Sequence, residues 1–148
     1  MLQSTNILLD VKEKSAVLYN GGDVRFSAAK LSDIAKAVVG IARHQGATEN
    51  RLVYIQSAVL TQKQLLRYAE EKDGKEWKTS AKGSEELSRE LGEALARDDY
   101  ANVCRLFPIL GCSDAEYGCD YEGRLDNELL GIEEMGEGDV RKLVEGLL

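Results

Sequence analysis

The sequence predicts an α/β fold in which a small mixed sheet is flanked by helices. Short runs of β-branched and aromatic residues alternate along the chain with longer segments of helical periodicity. Glycine, asparagine and aspartate separate these segments, as turns between elements require. The 148 residues match the size of one ordinary domain, so we expect residues 1–148 to form a single domain with its own core.

Residues 7–28 predict β structure. A charged turn at 12–14 and a reversal at Asn20-Gly21 separate three apolar segments, and Asn-Gly readily adopts the positive φ that short reversals need. We therefore expect three short strands, formed by ILLDV, AVLYN and VRFSA. Further along the chain, the compact apolar run 52–56 (LVYIQ) is typical of a strand buried on both faces.

Apolar periodicity and end signals predict the first two helices. Ser32 is a candidate cap for a helix over 33–43, which would cover the sheet. Thr61 and Gln64 form a capping-box pattern before a second helix, which we expect to end near residues 73–74.

The remainder of the chain is predicted to be mainly helical. A polar edge strand over 76–80 precedes a helix opened by Ser84, and Asp99 caps a further helix that we expect to end at Pro108. Residues 111–124 have three glycines and little periodicity, which predicts a loop. Apolar stripes are predicted to bury Leu87, Leu91, Ala94 and Leu95 in the Ser84 helix, and Val140, Leu143, Val144 and Leu147 in a C-terminal helix.

The composition argues against several classes of function. Asp and Glu number 26 against 19 Lys and Arg, and this net charge of -7 leaves no broad basic surface for a nucleic acid backbone. The longest apolar runs are too short to span a bilayer, and the N-terminus lacks the features of a signal peptide. Three cysteines without a secretory signal favour a reducing compartment. We therefore expect a cytoplasmic protein that binds neither nucleic acid nor membrane.

The sequence contains no recognisable nucleotide or metal motif. A G-x-G-x-x-G run, which lets pyrophosphate approach a helix N-terminus, does not occur. Gly118 and Gly123 fail as a P-loop because Arg124 stands where the phosphate-binding lysine is needed. The cysteines lack zinc spacing, and the one histidine, His44, is expected on the surface at the end of a helix. We expect no cofactor and no metal.

The loop 112–121 concentrates side chains that are able to exchange protons with a ligand. General acid and base catalysis uses such carboxylates and phenols when their pKa values are moved towards neutrality. The candidate acid and base residues are, in order, Tyr121, Asp120, Tyr117 and Glu116. Cys119 in the same loop is a candidate ligand-binding residue. The alternative interpretation is a solvated acidic loop.

Residues 56–58 form a second candidate set. Gln56, Ser57 and Ala58 leave the carboxyl end of the predicted strand, where α/β sheets usually bind ligands. They are therefore predicted to bind ligand. The alternative is that Gln56 and Ser57 only satisfy backbone groups at the end of the strand.

Three segments of the chain resemble one protein family. They are GGDVRFSAAKLSDIAKAVVGI (21–41), NRLVYIQSAVLTQKQLLRYAEEKDGKEWK (50–78) and LDNELLGI (125–132). Together they resemble the C-terminal part of the NmrA-like, isoflavone-reductase-like branch of the atypical short-chain dehydrogenases, especially its fungal members. The resemblance indicates a family and carries no catalytic signature.

The resemblance implies a truncated NmrA-like substrate-domain architecture without the dinucleotide-binding half. Family members carry the glycine-rich loop, the nicotinamide pocket and the catalytic lysine or tyrosine in an N-terminal Rossmann half, and this sequence begins after that half of the pattern. The resemblance also places the loop 112–121 near the substrate side. Apolar surface that the Rossmann half covers in the family would need another cover, so we expect a homodimer or a partner protein on that face.

Three hypotheses for function follow from these observations. The first is a cofactor-independent protein that binds a small apolar, aromatic or polyketide-like metabolite of secondary metabolism, acting as an isomerase, cyclase or dehydratase by positioning and proton transfer. The second is a non-enzymatic regulatory or partner-binding module. The third is a fragment of an NAD(P)H-dependent reductase.

Overall fold

The fold comes from a computed structural model, which describes residues 8–146. These residues form a mixed α/β domain, as the sequence predicts. The strands are β1 (Ser15–Tyr19), β2 (Phe26–Ala28), β3 (Ala58–Leu60) and β4 (Lys78–Lys82). The helices are α1 (Leu31–Arg43), α2 (Gln45–Thr48), α3 (Gln62–Asp73), α4 (Ser84–Ala96), α5 (Tyr100–Ser113), α6 (Asn127–Leu130) and α7 (Glu137–Glu145).

The strands form two small sheets instead of one mixed sheet. β1 pairs with β4 in parallel, and β2 pairs with β3 antiparallel. The reversal after β1 explains this separation, because Asn20, Gly21 and Gly22 have successive positive φ values of 45°, 78° and 77°. The chain therefore leaves the first sheet at this reversal and enters the second sheet in β2.

The predicted strand over 7–11 does not form within the described residues. Ile7 lies outside them, and residues 8–11 contribute only an isolated antiparallel bridge between Asp10 and Ser15. The backbones of these two residues exchange hydrogen bonds of 2.8 and 3.0 Å across a tight turn in which Lys14 has a φ of 47°. The turn is as the sequence predicts, but it joins a single bridge to β1.

The prediction of a buried strand over 52–56 is wrong. The segment has no strand partner among the described residues, and Leu52 at its start is 73% exposed. Its backbone instead bonds to the region around the start of α6. The Asn127 side chain accepts the Gln56 N–H (3.1 Å) and donates to the Gln56 carbonyl (2.8 Å), so an amide side chain takes the place of a neighbouring strand.

Helix α3 forms as predicted. The Thr61 hydroxyl accepts the Gln64 N–H (3.1 Å), and Gly74 ends the helix in the left-handed conformation. Helix α1 begins two residues earlier than predicted, and Ser32 is not its cap. The Ser57 hydroxyl, from a distant part of the chain, accepts the backbone N–H of Lys30 just before this helix (2.9 Å).

Helix α5 does not end at Pro108. It continues to Ser113, so the predicted loop begins later than residue 111. A proline inside a helix costs about 3 kcal/mol. Burial of Ile109 and Leu110 against α4 offsets this cost, since each fully buried aliphatic side chain contributes about 1.5–3 kcal/mol.

Three groups of buried side chains form the core. The largest lies between the two sheets, α3 and α7, and includes Trp77. The second joins α4 to α5, and Leu95 of the predicted stripe lies outside it, exposed. The third, smaller group joins α1 to α6 through Ala37 and Leu130. In the C-terminal helix α7, Val140 and Val144 are buried as predicted, while Leu147 lies outside the described residues.

None of the helices found between residues 8 and 146 combines the length and the apolar character that a membrane crossing demands.

Candidate functional site

Residues 119–121 lie along strand β2 and are held there by Ser27. The Ser27 backbone N–H donates to the Cys119 carbonyl (2.7 Å), and the Ser27 hydroxyl accepts the backbone N–H of Tyr121 (2.9 Å). The predicted loop is thus fixed to the second sheet at the residues that the sequence singles out. Side chains of this loop therefore have a defined position relative to the segment before β3.

Gln56 and Ser57 belong to a buried hydrogen-bond network. The Gln56 side chain accepts from the Ser27 hydroxyl (2.7 Å) and donates to the Glu134 carboxylate (2.8 Å). The Ser57 hydroxyl, which is completely buried, donates to the Asp33 carboxylate (2.6 Å). Buried polar groups satisfied in this way rigidify a structure and define one arrangement of it.

The three candidates at 56–58 all lie inside the protein. Ala58 is buried in β3, and the polar groups of Gln56 and Ser57 already have partners. The Ser57 hydroxyl accepts a backbone N–H, as the alternative interpretation expects, whereas the Gln56 side chain bonds to the side chains of Ser27 and Glu134. Direct contact with a ligand at these residues stays a prediction.

Tyr54, Tyr121 and Arg124 form a group that we call the tyrosine–arginine cluster. The two rings lie 5.1 Å apart between centroids and are tilted by 57°. The Arg124 guanidinium carbon lies 5.0 Å from the centroid of Tyr54 and 5.7 Å from that of Tyr121. Such cation–π contacts contribute about 0.5–1 kcal/mol at exposed sites. The cluster presents two aromatic rings and one cation on a single surface.

The Tyr121 hydroxyl of the cluster is held in its protonated form. Burial raises the pKa of Tyr121, the neighbouring Cys119 and Tyr54 raise it further, and the Arg124 charge opposes them. The hydroxyl therefore stays protonated at neutral pH. In that form it is a hydrogen-bond donor for a carbonyl or a developing oxyanion.

Asp120 lies next to Tyr121 in sequence and is engaged in an ion pair. Its carboxylate is 3.2 Å from the Arg25 guanidinium and accepts the Glu122 N–H (3.1 Å). Arg25 also pairs with the Glu122 carboxylate at 2.5 Å. The Asp120 carboxylate is half-buried, and of the two predicted carboxylates it is the nearer to Tyr121 along the chain.

Tyr117 and Glu116 are placed apart from this group. Both are exposed in a single 3-10 turn, Ala115–Tyr117, which the Asp114 side chain begins by accepting the Glu116 N–H (3.0 Å). No hydrogen bond or ring contact in the described part of the chain connects either residue to Tyr121. The segment that carries Cys119, Asp120 and Tyr121 is anchored to Ser27, whereas Glu116 and Tyr117 lie in this separate turn.

Burial disfavours the thiolate form of the two cysteines in this region. Burial raises the pKa of Cys112 to about 11, and it also raises the pKa of Cys119. A thiol is a nucleophile and a metal ligand only as the thiolate. Cys104, in contrast, is exposed on α5. Among residues 8–146, no three side chains of His, Cys, Asp or Glu are grouped so as to hold a metal ion.

Sequence reasoning missed Tyr54, Arg124 and Asn127. Tyr54 was included in the predicted strand, and Arg124 served only to reject a P-loop motif. The sequence signals for Tyr54 and Arg124 were a tyrosine in an apolar run and an arginine three residues after Tyr121. Both patterns are too common to identify a site. The Asp126 carboxylate accepts hydrogen bonds from the Arg51 guanidinium and from the Tyr54 backbone N–H.

Comparison with known proteins connects part of the chain to an oxidoreductase. The chain is similar to Oxidoreductase poxI from Penicillium oxalicum and to the protein of the same description from Penicillium oxalicum strain 114-2 / CGMCC 5302, with 34% identity over 68 residues in each case. This match spans 46% of the chain but only 22% of each relative. Less than half of the chain is therefore similar to about a fifth of an oxidoreductase.

No protein-family model matches the chain. No solved structure matches it either.

Proposed function

We propose that this chain is a substrate-side module related to NmrA-like reductases, and that it binds a small aromatic or polyketide-like molecule at the tyrosine–arginine cluster. The observation that carries this proposal is the placement of two tyrosine rings and a guanidinium on one surface. Aromatic rings supply stacking area, and an adjacent cation orients an electron-rich or anionic ligand. The similarity to an oxidoreductase supports the relationship to reductases.

The chemistry proposed for this surface is proton transfer. The Tyr121 phenol donates a hydrogen bond to a substrate carbonyl while Arg124 stabilises the oxyanion that develops there. The Asp120 carboxylate removes a proton from the carbon next to that carbonyl and returns it to another carbon, which isomerises the substrate. The step consumes no hydride, and in this role Asp120 exchanges its contact with Arg25 for the substrate proton.

The chain is proposed to act without binding a nicotinamide cofactor itself. The support for this point is the sequence, because the 148 residues contain no G-x-G-x-x-G run. Titration with NADPH, followed by its fluorescence, is expected to show no saturable binding. Saturable binding to the purified chain would contradict this part of the proposal.

A pair of probes with equal charge tests the aromatic site. We expect 2-naphthoate, an aromatic carboxylate, to bind more tightly than decanoate, an aliphatic one, in isothermal titration calorimetry. Tyr54→Leu removes one ring of the cluster, and Arg124→Ala removes its cation. Each is expected to weaken naphthoate binding about tenfold, equivalent to about 1.4 kcal/mol. Tyr121→Phe keeps the ring and is expected to keep binding while losing proton donation.

Tyr100→Leu is the matched control for these variants. Tyr100 is an exposed tyrosine on α5 whose hydroxyl donates to the nearby Asp98 carboxylate (3.2 Å). Its substitution is expected to leave naphthoate binding unchanged. Equal binding of the two probes, or equal weakening by Tyr100→Leu and Tyr54→Leu, would rule out the cluster as the binding site.

A second candidate is that this chain is one segment of an NAD(P)H-dependent reductase whose cofactor region lies elsewhere. The observation that favours it is the match to only 22% of each oxidoreductase. In that case the tyrosine–arginine cluster contributes substrate contacts, and hydride transfer depends on the other region. Reductase activity in a mixture of this chain with a cofactor-binding polypeptide, absent from either alone, would distinguish it from the first candidate.

A further inference from the structure

Helix α1 exposes an apolar stripe to solvent. Leu31 and Val38 are 60% and 63% exposed, and Ile34 and Val39 are also exposed. Spacings of three and four residues place Leu31, Ile34 and Val38 on one face of the helix. Aliphatic residues scattered singly over a surface need no explanation, but a contiguous exposed stripe marks an interaction surface.

The stripe borders a groove of about 610 Å³ between α1 and the α6 region, which we call the α1–α6 groove. Ala35 and Val39 line its α1 side, and Leu129 and Leu130 line the opposite side. Gly40 sets the separation of the two sides, because a Cβ there would lie 2.9 Å from the Leu130 Cδ2 atom. A solvent-facing apolar stripe beside a groove with both aliphatic and charged lining residues is the arrangement that accepts an amphipathic helix.

The exposed charges of α1 are all positive. Lys36 and Arg43 line the groove, whereas Asp33, which is the carboxylate of this helix, is 1% exposed and pairs with Lys36 at 3.1 Å. Within residues 8–146, Arg43 has no carboxylate partner. Glu128 is the acidic residue of the groove lining and stands on the α6 side. This positive helix therefore contrasts with a chain whose net charge is -7.

We propose that α1 and the α1–α6 groove dock an acidic amphipathic helix of a partner protein. The apolar stripe and the groove take its apolar residues, and Lys36 and Arg43 pair with carboxylates that flank them. A second copy of this chain fits less well, because contact between two α1 helices would bring only cations together. The inference is independent of the function proposed for the tyrosine–arginine cluster, which is built from other residues.

Two synthetic peptides test the proposal against the full chain. Both peptides carry leucines at the same positions along one helix face. Each has about 14 residues, or about 21 Å as a helix, which matches the 13 residues of α1. One carries glutamate and the other lysine at every flanking position. In fluorescence anisotropy we expect the glutamate peptide to bind at least about tenfold more tightly, with an affinity that falls as salt is added.

Variants of α1 locate the binding surface. Val38→Ser is expected to weaken the glutamate peptide about tenfold, and Phe107→Ser is its control because Phe107 is 69% exposed on the distant helix α5. Arg43→Glu is expected to weaken the glutamate peptide and strengthen the lysine peptide. Arg89→Glu makes the same change of charge on α4 and is expected to alter neither. Circular dichroism of each variant confirms that it is folded.

Several outcomes would overturn the proposal. Equal affinity for the two peptides would show that the surface is apolar but does not select acidic helices. If neither peptide binds, the surface does not dock a helix. Light scattering that gives a dimer in the parent chain and a monomer in Val38→Ser would assign the surface to a second copy. If decanoate binds at α1 and neither peptide displaces it, the groove is a site for a small apolar anion and not for a helix.

Discussion

Gly40 determines how closely α1 approaches α6. An alanine Cβ at this position would lie 3.2 Å from the Leu130 Cα atom, so the backbone itself would have to move. Gly40→Ala is therefore expected to destabilise the protein by about 1–3 kcal/mol, despite the higher helix propensity of alanine. The change in the free energy of unfolding is measured by urea denaturation.

Gly92 on α4 provides the control for Gly40. It also lies inside a helix, but nothing stands within 4 Å of the position where its Cβ would be. Gly92→Ala is expected to stabilise the protein by about 0.5–1 kcal/mol. If Gly40→Ala stabilises the protein as Gly92→Ala does, α1 and α6 lie far enough apart in solution to admit a methyl group at residue 40.

The candidate site was predictable only in part at the level of single residues. Tyr121 and Asp120 stood out because the loop concentrates phenols and carboxylates, and their role in catalysis stays a prediction. Tyr54 contacts both the Tyr121 ring and the Arg124 guanidinium from a segment far away in sequence. Such contacts leave no local pattern, because they depend on how the loop docks on β2.

Elements with local signals were predictable from the sequence. Helix α3 has its cap at Thr61 and its stop at Gly74, both within the chain segment that they control. The segment 52–56 failed because its hydrogen-bond partners are side chains around Asn127, more than seventy residues away. An apolar run predicts burial, but it does not specify which backbone or side chain will satisfy its N–H and C=O groups.

The cap of α3 is a direct test at the element scale. The Thr61 hydroxyl accepts the Gln64 N–H, and Thr61→Ala is expected to cost about 1 kcal/mol of stability because this N–H loses its partner. Thr61→Ser keeps the hydroxyl and is expected to retain most of that stability. Thr79→Ala, at an exposed position in β4, gives the background cost of losing a threonine. Thermal unfolding that shows equal losses for Thr61→Ala and Thr79→Ala would argue against the cap.

The segment 52–56 depends on Asn127 in the same way that a strand depends on its neighbour. Asn127→Ala leaves the buried N–H and carbonyl of Gln56 without partners, at about 1–3 kcal/mol for each group. We expect a loss of about 2–4 kcal/mol in the free energy of unfolding and faster hydrogen exchange at the Gln56 amide. Glu128→Ala, at the next and exposed position, is expected to change neither. Unchanged exchange at Gln56 in Asn127→Ala would show that water replaces the side chain without cost.

At the scale of the whole molecule, acidic residues make the stability of the fold depend on pH. The pKa values of several carboxyl groups are lowered in the folded state, and the groups are Asp33, Asp73, Asp99, Asp114 and Asp126. For Asp33 burial opposes the change, but the hydrogen bond from Ser57 and the charges of Lys36 and Lys30 outweigh it. Each lowered pKa means that the unfolded chain binds a proton more readily than the folded protein does.

Stability is therefore expected to fall in acid, and Asp126 offers the sharpest test. The hydrogen bonds from Arg51 lower the pKa of Asp126, burial opposes them, and the Tyr54 N–H lowers it further. A carboxylate with a lowered pKa stabilises the fold above its unfolded pKa of about 3.9, and this stabilisation is lost as the pH falls through the folded value. Asp126→Asn should therefore be less stable than the parent at pH 7, and the difference should shrink as the pH falls below about 4. Urea denaturation over this range measures the difference. Asp23→Asn is the control because Asp23 is exposed and its ion pair with Lys63 lies on the surface. A difference that is the same at every pH would show that Asp126 stabilises the protein by geometry alone and not by its charge.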